Sequence, residues 1–218
     1  MLVLVVDTAT PAITAALAEV TEEGTRVLAE RVTVDGKAHG ERLAPQIEAA
    51  LTEAGVKPRD LAAIVAGTGP GPFTGLRVGL MTAAAMGNAL GVPTYGVCSL
   101  DGLGAPLSGH ALVATDARRK EVYWAVYADG VRVDGPHVDR PAEVSPGAAT
   151  TAVGQGALVY ADVLGLPVPP DEPIYPSAFE LARLAAPRIL SGEPGERLVP
   201  LYLRRPDAVE PGARKHVS

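Results

Sequence analysis

The sequence has a single cysteine, Cys98, in 218 residues. No disulfide framework can form within one chain, which points to a reducing compartment. Long apolar runs are missing as well. The longest, Met1 to Val6, stops at Asp7, and the richest later stretch, Val78 to Leu90, follows Arg77 and is broken by Thr82 and Asn88, so no membrane span is expected. The start lacks the basic residues and small-residue cleavage site of a signal peptide, and the cytoplasm is the expected location. Positive charge is scarce: the net charge is −6, opposite to the footprint of a protein that grips nucleic acid unaided. The four histidines, His39, His110, His137 and His216, share no close spacing with one another or with Cys98, so spacing supports no metal site. A Gly-x-Ser-x-Gly nucleophile elbow is also absent.

What the chain does have is a periodicity of alternating strands and helices, with enough apolar residues (47%) for one large core or two lobes. Leu2–Val6 reads as a buried strand ending at Asp7. Ile13, Ala15 and Leu17 alternate after it, and Glu22-Glu23-Gly24 turns the chain into Val27–Val34, which makes a three-strand meander. A helix is predicted from His39 to Ala54, with Leu43, Ile47, Leu51 and Ala54 on one face and Gly55 just past its end. Leu61–Gly67 is a strand, Thr74–Leu90 a helix and Thr94–Val97 a strand again. Leu112–Thr115 then repeats the opening pattern by ending in Asp116. Val122, Trp124 and Val126 follow Asp116 at offsets of six, eight and ten, as Ile13, Ala15 and Leu17 follow Asp7. This spacing suggests two related lobes, residues 1–105 and 106–218, the second rich in Pro and Gly between Asp134 and Pro176 and carrying a helix at Ser177–Leu190.

The loop Gly67-Thr-Gly-Pro-Gly-Pro-Phe-Thr-Gly-Leu-Arg77 joins a strand to a helix, where free backbone N–H groups can take an anion. It lacks the lysine of a P-loop, and Thr74 stands where the third Rossmann glycine belongs. Thr74 is the expected helix N-cap. Asp7 and Asp116 end strands at the mouths of their lobes, either as turn aspartates or as part of a Mg–nucleotide site. Residues Asp7, Thr8, Thr10, Gly69, Gly71 and Thr74 form the candidate nucleotide or anion set. Basic residues cluster at Arg118-Arg119-Lys120 and at Arg204, Arg205, Arg214 and Lys215, read as solvated surface, with Arg118 and Arg119 as the RNA contact if one exists. Cys98 reads as inert packing. At 100° per residue, Leu76, Leu80, Ala83, Gly87 and Leu90 share one side of the later helix, and Val78, Met81, Ala85 and Ala89 the opposite side. Both sides are apolar, so the second is buried in the fold or covered by a partner.

Taken together, several motifs in order resemble the TsaB family of the bacterial machinery for tRNA threonylcarbamoyladenosine: Val6-Asp7-Thr8-Ala9-Thr10, His39-Gly-Glu41-Arg-Leu43, Gly69-Pro-Gly-Pro-Phe-Thr-Gly-Leu-Arg-Val-Gly79, Leu90-Gly-Val-Pro93, Asp116-Ala-Arg-Arg119, Glu121-Val-Tyr-Trp124 and Pro200-Leu-Tyr-Leu-Arg204. The resemblance implies an α/β, two-lobed, actin-like (ribonuclease H-like) fold with a duplicated mixed-sheet lobe. It implies a non-catalytic scaffold that pairs with the catalytic sister TsaD as a heterodimer, with TsaE as a further partner and tRNA bound only by the complex. It leaves open self-pairing of the free chain and a nucleotide at the partner interface, with no cofactor required by the subunit itself. It also implies a helical partner surface on Leu43, Ile47, Arg77, Val78, Met81, Ala85 and Ala89. In TsaD, two histidines four residues apart hold the metal; in the register set by Leu90-Gly-Val-Pro93 and Gly96-Val97 their places are taken by Ser99 and Leu103. Ala9 replaces the first phosphate-loop glycine of active actin-like ATPases. The competing classes are a metal- and nucleotide-dependent transferase and a metallopeptidase.

Overall fold

The computed structural model describes residues 1–204. Its first sheet has five strands in the order β3-β2-β1-β4-β5: β1 (Leu2–Asp7), β2 (Ala12–Thr21), β3 (Gly24–Val34), β4 (Ala63–Gly67) and β5 (Thr94–Val97). The meander β1–β3 is antiparallel, while β4 pairs in parallel with β1, and β5 with β4. Both faces of β1 are apolar because both are covered. Leu4 and Val6 meet α1 (His39–Glu53) and α2 (Phe73–Leu90) in a core with Ile13, Leu17, Leu43 and Leu76. Val3 and Val5 face the other way, into a core with Ala16, Val65 and Tyr95.

That second core is closed by α6 (Ala178–Leu190), through Ala178, Leu181, Ala182, Ala185 and Ile189. The first lobe is therefore not built from residues 1–105 alone, although that boundary does fall between the sheets, just after α3 (Asp101–Gly104). A helix docking from so far along the chain leaves no local mark in the sequence. Ser177 starts it by accepting a hydrogen bond from the Glu180 N–H.

The second sheet runs β8-β7-β6-β9, with β6 (His110–Asp116), β7 (Val122–Ala128), β8 (Val131–Asp139) and β9 (Thr151–Val153). Its antiparallel meander followed by a parallel neighbour repeats the order of the first sheet, which makes the molecule the duplicated, actin-like α/β fold expected. The repeat lives in strand order and not in the matched offsets. Asp7 pairs with Thr14, but Asp116 pairs with Val122, because the second turn is one residue shorter. Val122, Trp124 and Val126 thus share the face of Leu112 and Ala114, whereas Ile13, Ala15 and Leu17 lie on the face opposite Asp7. The crossover between β8 and β9 holds only a short 3-10 turn, Pro141–Glu143, and two short helices follow β9, α4 (Gln155–Val159) and α5 (Ala161–Leu164).

Beyond α6 the chain returns as a strap along the β5 edge. Glu196 N–H donates to the Thr94 carbonyl at 2.9 Å, and the Glu196 carboxylate accepts from Gly96 N–H at 2.7 Å and from Arg188 at 2.8 Å. Farther on, Leu201 N–H donates to the Thr68 carbonyl at 2.8 Å. No helix among the described residues is long and apolar enough to cross a membrane.

Candidate functional site: an interlobe cleft and an exposed helix face

The loop after β1 lies against the first turns of α2. Pro72, with φ −60° and ψ 135°, is the N-cap residue, and the helix begins at Phe73. Thr74 is therefore already inside the first turn and is not the cap; the proline ring sets the entry angle, and no side chain caps the end. Thr8 instead binds the helix from the side. Its hydroxyl donates to the Gly75 carbonyl at 2.7 Å and accepts from Gly79 N–H at 3.0 Å. A side chain at 79 has no room here, since its Cβ would lie 2.4 Å from Thr8 Oγ1. Gly79→Ala is expected to lower stability by about 1–2 kcal/mol net, the clash outweighing alanine's better helix propensity, while Gly40→Ala, where the added Cβ meets nothing within 4 Å, should not destabilise. Urea unfolding of the two variants measures the contrast.

Asp7 is sealed inside the fold, contrary to its expected place at an open mouth. It is 1% exposed. Its Oδ1 accepts from Ala9 N–H at 3.0 Å and its Oδ2 from the Ser99 hydroxyl at 2.5 Å, while Ser99 Oγ in turn accepts from Gly69 N–H at 3.1 Å. The carboxylate so joins the ends of β1 and β5 to the loop after β4. Burial pushes its pKa up to about 6, against the pull of the Ser99 and Ala9 hydrogen bonds. Gly67 permits this packing, because a Cβ there would sit on Asp7 Oδ2. Gly69 and Gly71 likewise pack the loop, a Cβ at 71 lying 2.3 Å from the Ala9 carbonyl oxygen.

Of the candidate anion set, Thr8, Thr10 and Thr74 line a cleft of about 460 Å³ between the lobes, and Asp7, Gly69 and Gly71 do not. The cleft also has Lys37, His39, Asp116 and Arg118 in its wall. Sequence reasoning gave Lys37 and His39 no place in it. His39 is buried, with Nε2 2.9 Å from the Thr10 carbonyl oxygen, and its position at the head of the His39-Gly-Glu41 motif is the signal that could have found it. Arg118 reaches across to the Gly36 carbonyl at 3.3 Å. The tail cations Arg205, Arg214 and Lys215 lie outside the described residues.

The positions that correspond to the metal-holding histidines offer no site. Ser99 is committed to Asp7 and Gly69, and Leu103 is fully buried with Leu100 and Tyr127. A hydroxyl already bonded twice and an isobutyl group do not make a ligand pair, and among the described residues no three His, Cys, Asp or Glu side chains are grouped to hold a metal ion. Cys98 is buried, and burial pushes its thiol up to about 11, far from thiolate chemistry.

The expected partner residues divide in two. Leu43 and Ile47 are 1% and 5% exposed, spent on the core beneath α2, so neither is available to a partner. On α2, Leu76, Leu80, Ala83 and Gly87 are buried, whereas Arg77, Met81, Ala85 and Ala89 are exposed and Val78 is half-buried. Met81 is 60% and Phe73 57% exposed. The face continues onto the strap: the Arg77 guanidinium lies 5.0 Å over the Phe73 ring, which stacks on Tyr202 at 5.2 Å. An apolar face of this extent, held rigid on a long helix, can bind another surface.

Residues 26–191 match the family described as TsaD, tRNA N6-adenosine threonylcarbamoyltransferase. An uncharacterized protein of Mycobacterium tuberculosis is 53% identical over 94% of this chain and 93% of its own length. A Mycobacterium leprae relative is 52% identical over 95% of the chain, which spans 56% of that longer protein. The tRNA threonylcarbamoyladenosine biosynthesis protein TsaB of Escherichia coli is 36% identical over 58% of this chain and 55% of its own. Among solved structures, YeaZ from Pseudomonas aeruginosa superposes with a TM-score of 0.75 at 30% identity, over 93% of this chain and 99% of that one. With the motifs, the duplicated lobe and these likenesses in agreement, the chain belongs to the TsaD-related family and, within it, to the YeaZ (TsaB) group.

Proposed function

We propose that the chain is a non-catalytic scaffold subunit in the biosynthesis of threonylcarbamoyladenosine in tRNA, and that it binds and stabilises TsaD as a heterodimer. The observation that carries this reading is the exposed Phe73–Arg77–Met81–Ala85–Ala89 face, a mostly apolar helix surface bearing one arginine, in a chain whose metal positions hold Ser99 and Leu103. TsaE joins the assembled pair, and the same face lets the free chain self-associate. The subunit needs no cofactor of its own. A nucleotide or other anion, where one is retained, is bound by the cleft that Thr8, Thr10, Thr74, Lys37 and Arg118 line. The family relationship and the placement of Ser99 and Leu103 favour this reading over a metal-dependent transferase, whose ligand set would be incomplete.

The test is reconstitution. The purified chain alone is expected to leave tRNA unmodified and ATP unhydrolysed, to co-elute with TsaD when mixed with it, and to support modification in that mixture. Threonylcarbamoyl transfer by the isolated chain would overturn the scaffold reading; failure to co-elute would overturn the partner. Acidic charge gives a further expectation: labelled tRNA titrated at physiological salt should bind the free chain more weakly than about 1 μM, with strong salt dependence. Tighter binding by the chain alone would place tRNA recognition here instead of in the complex.

A further inference from the structure

Past Leu201 the strap leaves the first lobe and reaches the second. Arg204 pairs through its guanidinium with the Glu121 carboxylate, and it also donates to the Arg118 carbonyl at 3.3 Å. Glu121 and Arg118 bracket the turn between β6 and β7, where Arg118, Arg119 and Lys120 have φ of 60°, 54° and 62°. Residues other than Gly, Asn and Asp adopt this left-handed region reluctantly, and three in succession persist only where the surroundings over-determine them. The Asp116 carboxylate holds Arg118 N–H at 3.1 Å from one side, and Arg204 holds the turn from the other. Arg118 then extends back to the Gly36 carbonyl of the first lobe and forms part of the cleft wall. The contacts close a loop: from the first lobe along the strap to Arg204, into the second-lobe turn, and through Arg118 to the first lobe again.

We propose that this loop is an interlobe clasp with Arg204 as its pin: Arg204 holds the left-handed Arg118–Lys120 turn, and through that turn it sets Arg118 across the mouth of the cleft and the two lobes against each other. The pair is suited to the task because both side chains are mostly withdrawn from water, 26% and 31% exposed, so the charge-assisted hydrogen bonds are screened less than on an open surface. The strap is anchored independently of the clasp by Glu196 on β5 and by Leu201 on Thr68. Losing Arg204 therefore frees the turn without unfolding the strap. The clasp does not depend on the threonylcarbamoyl reading.

Amide hydrogen exchange by NMR on the full chain tests it. The reporters are Ala117 N–H, bonded to the Glu121 carbonyl at 2.9 Å, and Glu121 N–H, bonded to the Arg118 carbonyl at 3.0 Å. Arg204→Ala is expected to speed exchange at both by about tenfold or more, as for loss of a hydrogen bond to a charged group, and to shift the Gly36 backbone resonances across the cleft, with Val113 in the core unchanged. Glu121→Gln should do the same more weakly, and the reversed pair Arg204→Glu with Glu121→Arg should restore protection at both sites in part, because it re-forms the ion pair while a glutamate at 204 cannot donate to the Arg118 carbonyl. Unchanged exchange at Ala117 and Glu121 in Arg204→Ala, or a reversed pair that stays as fast as the single variants, would overturn the clasp. A turn that loosens while Gly36 does not respond would overturn its reach across the cleft.

Discussion

Ala85→Glu is expected to abolish binding to TsaD while leaving the chain folded, and Ala83→Glu, two residues away, to unfold it. Both sit mid-helix on α2, and both changes replace a methyl by a carboxylate in a helix that tolerates glutamate well. They differ in what the side chain meets. Ala83 is 0% exposed in the core with Leu76 and Leu80. A carboxylate there is buried without a partner and is overpacked as well, at a cost of about 3–5 kcal/mol, a large share of the stability of a domain of this size. Ala85 is exposed, so the same carboxylate stays hydrated in the free chain and enters an apolar interface only in the complex, where the same cost falls on binding and weakens it by about two to four powers of ten. Circular dichroism melts of the free variants and size-exclusion runs with TsaD separate the outcomes. A complex that survives Ala85→Glu, or a free chain unfolded by it, would show that the partner meets some other surface.

The second large effect concerns pH. Asp7 titrates near 6 in the folded chain, raised by burial from an ordinary value of 3.8. Between about pH 4 and 6 the native state therefore holds a proton that the unfolded chain has released, and the Asp7 contribution to stability falls as pH rises through this window. Above it the penalty is constant, at about 3 kcal/mol for a shift of this size. Asp7→Asn removes the charge and keeps the shape. Its carbonyl oxygen can accept from Ala9 N–H, and its amide can donate to Ser99 Oγ, although Ser99 then loses its acceptor, at about 1 kcal/mol. The variant is expected to be about 2 kcal/mol more stable than wild type at pH 7 and to match or fall below it near pH 4. Urea titrations across pH 4–8 give the difference curve; a flat difference, or an asparagine variant less stable at pH 7, would mean that the carboxylate is stabilised where it lies.

Periodicity carried a good deal of this structure. The apolar run of β1 announced a buried strand, and the 100° rule sorted the residues of α2 onto two sides but left open whether the second is buried; the structure buries Ala83 and exposes Ala85. What it could not carry was non-local. Leu43 and Ile47 look as available as Met81 until α1 is seen to spend its one apolar stripe on the core beneath α2. Pattern cannot say which partner covers a stripe. Nor could the residue count after an aspartate reveal the one-residue difference between the Asp7 and Asp116 turns, because register depends on turn geometry. Lys37 and Arg118 come to one cleft from different lobes. Asp7 was legible as a strand-ending aspartate but not as a sealed one, since what seals it is Ser99, 92 residues later in the chain.

The docking of α6 on the first sheet has a consequence for synthesis. The face made by Val3, Val5, Ala16, Ala18 and Val65 is complete as soon as β4 is made, yet the helix that covers it ends only at Leu190. At about 5–20 residues per second, a ribosome spends roughly 6–25 seconds on the intervening residues. Throughout that interval the nascent chain shows an open, strongly apolar sheet surface to the cell. Pulse-labelled nascent chains stalled before Ala178 should therefore associate with holdase chaperones, and chains released after Leu190 should not.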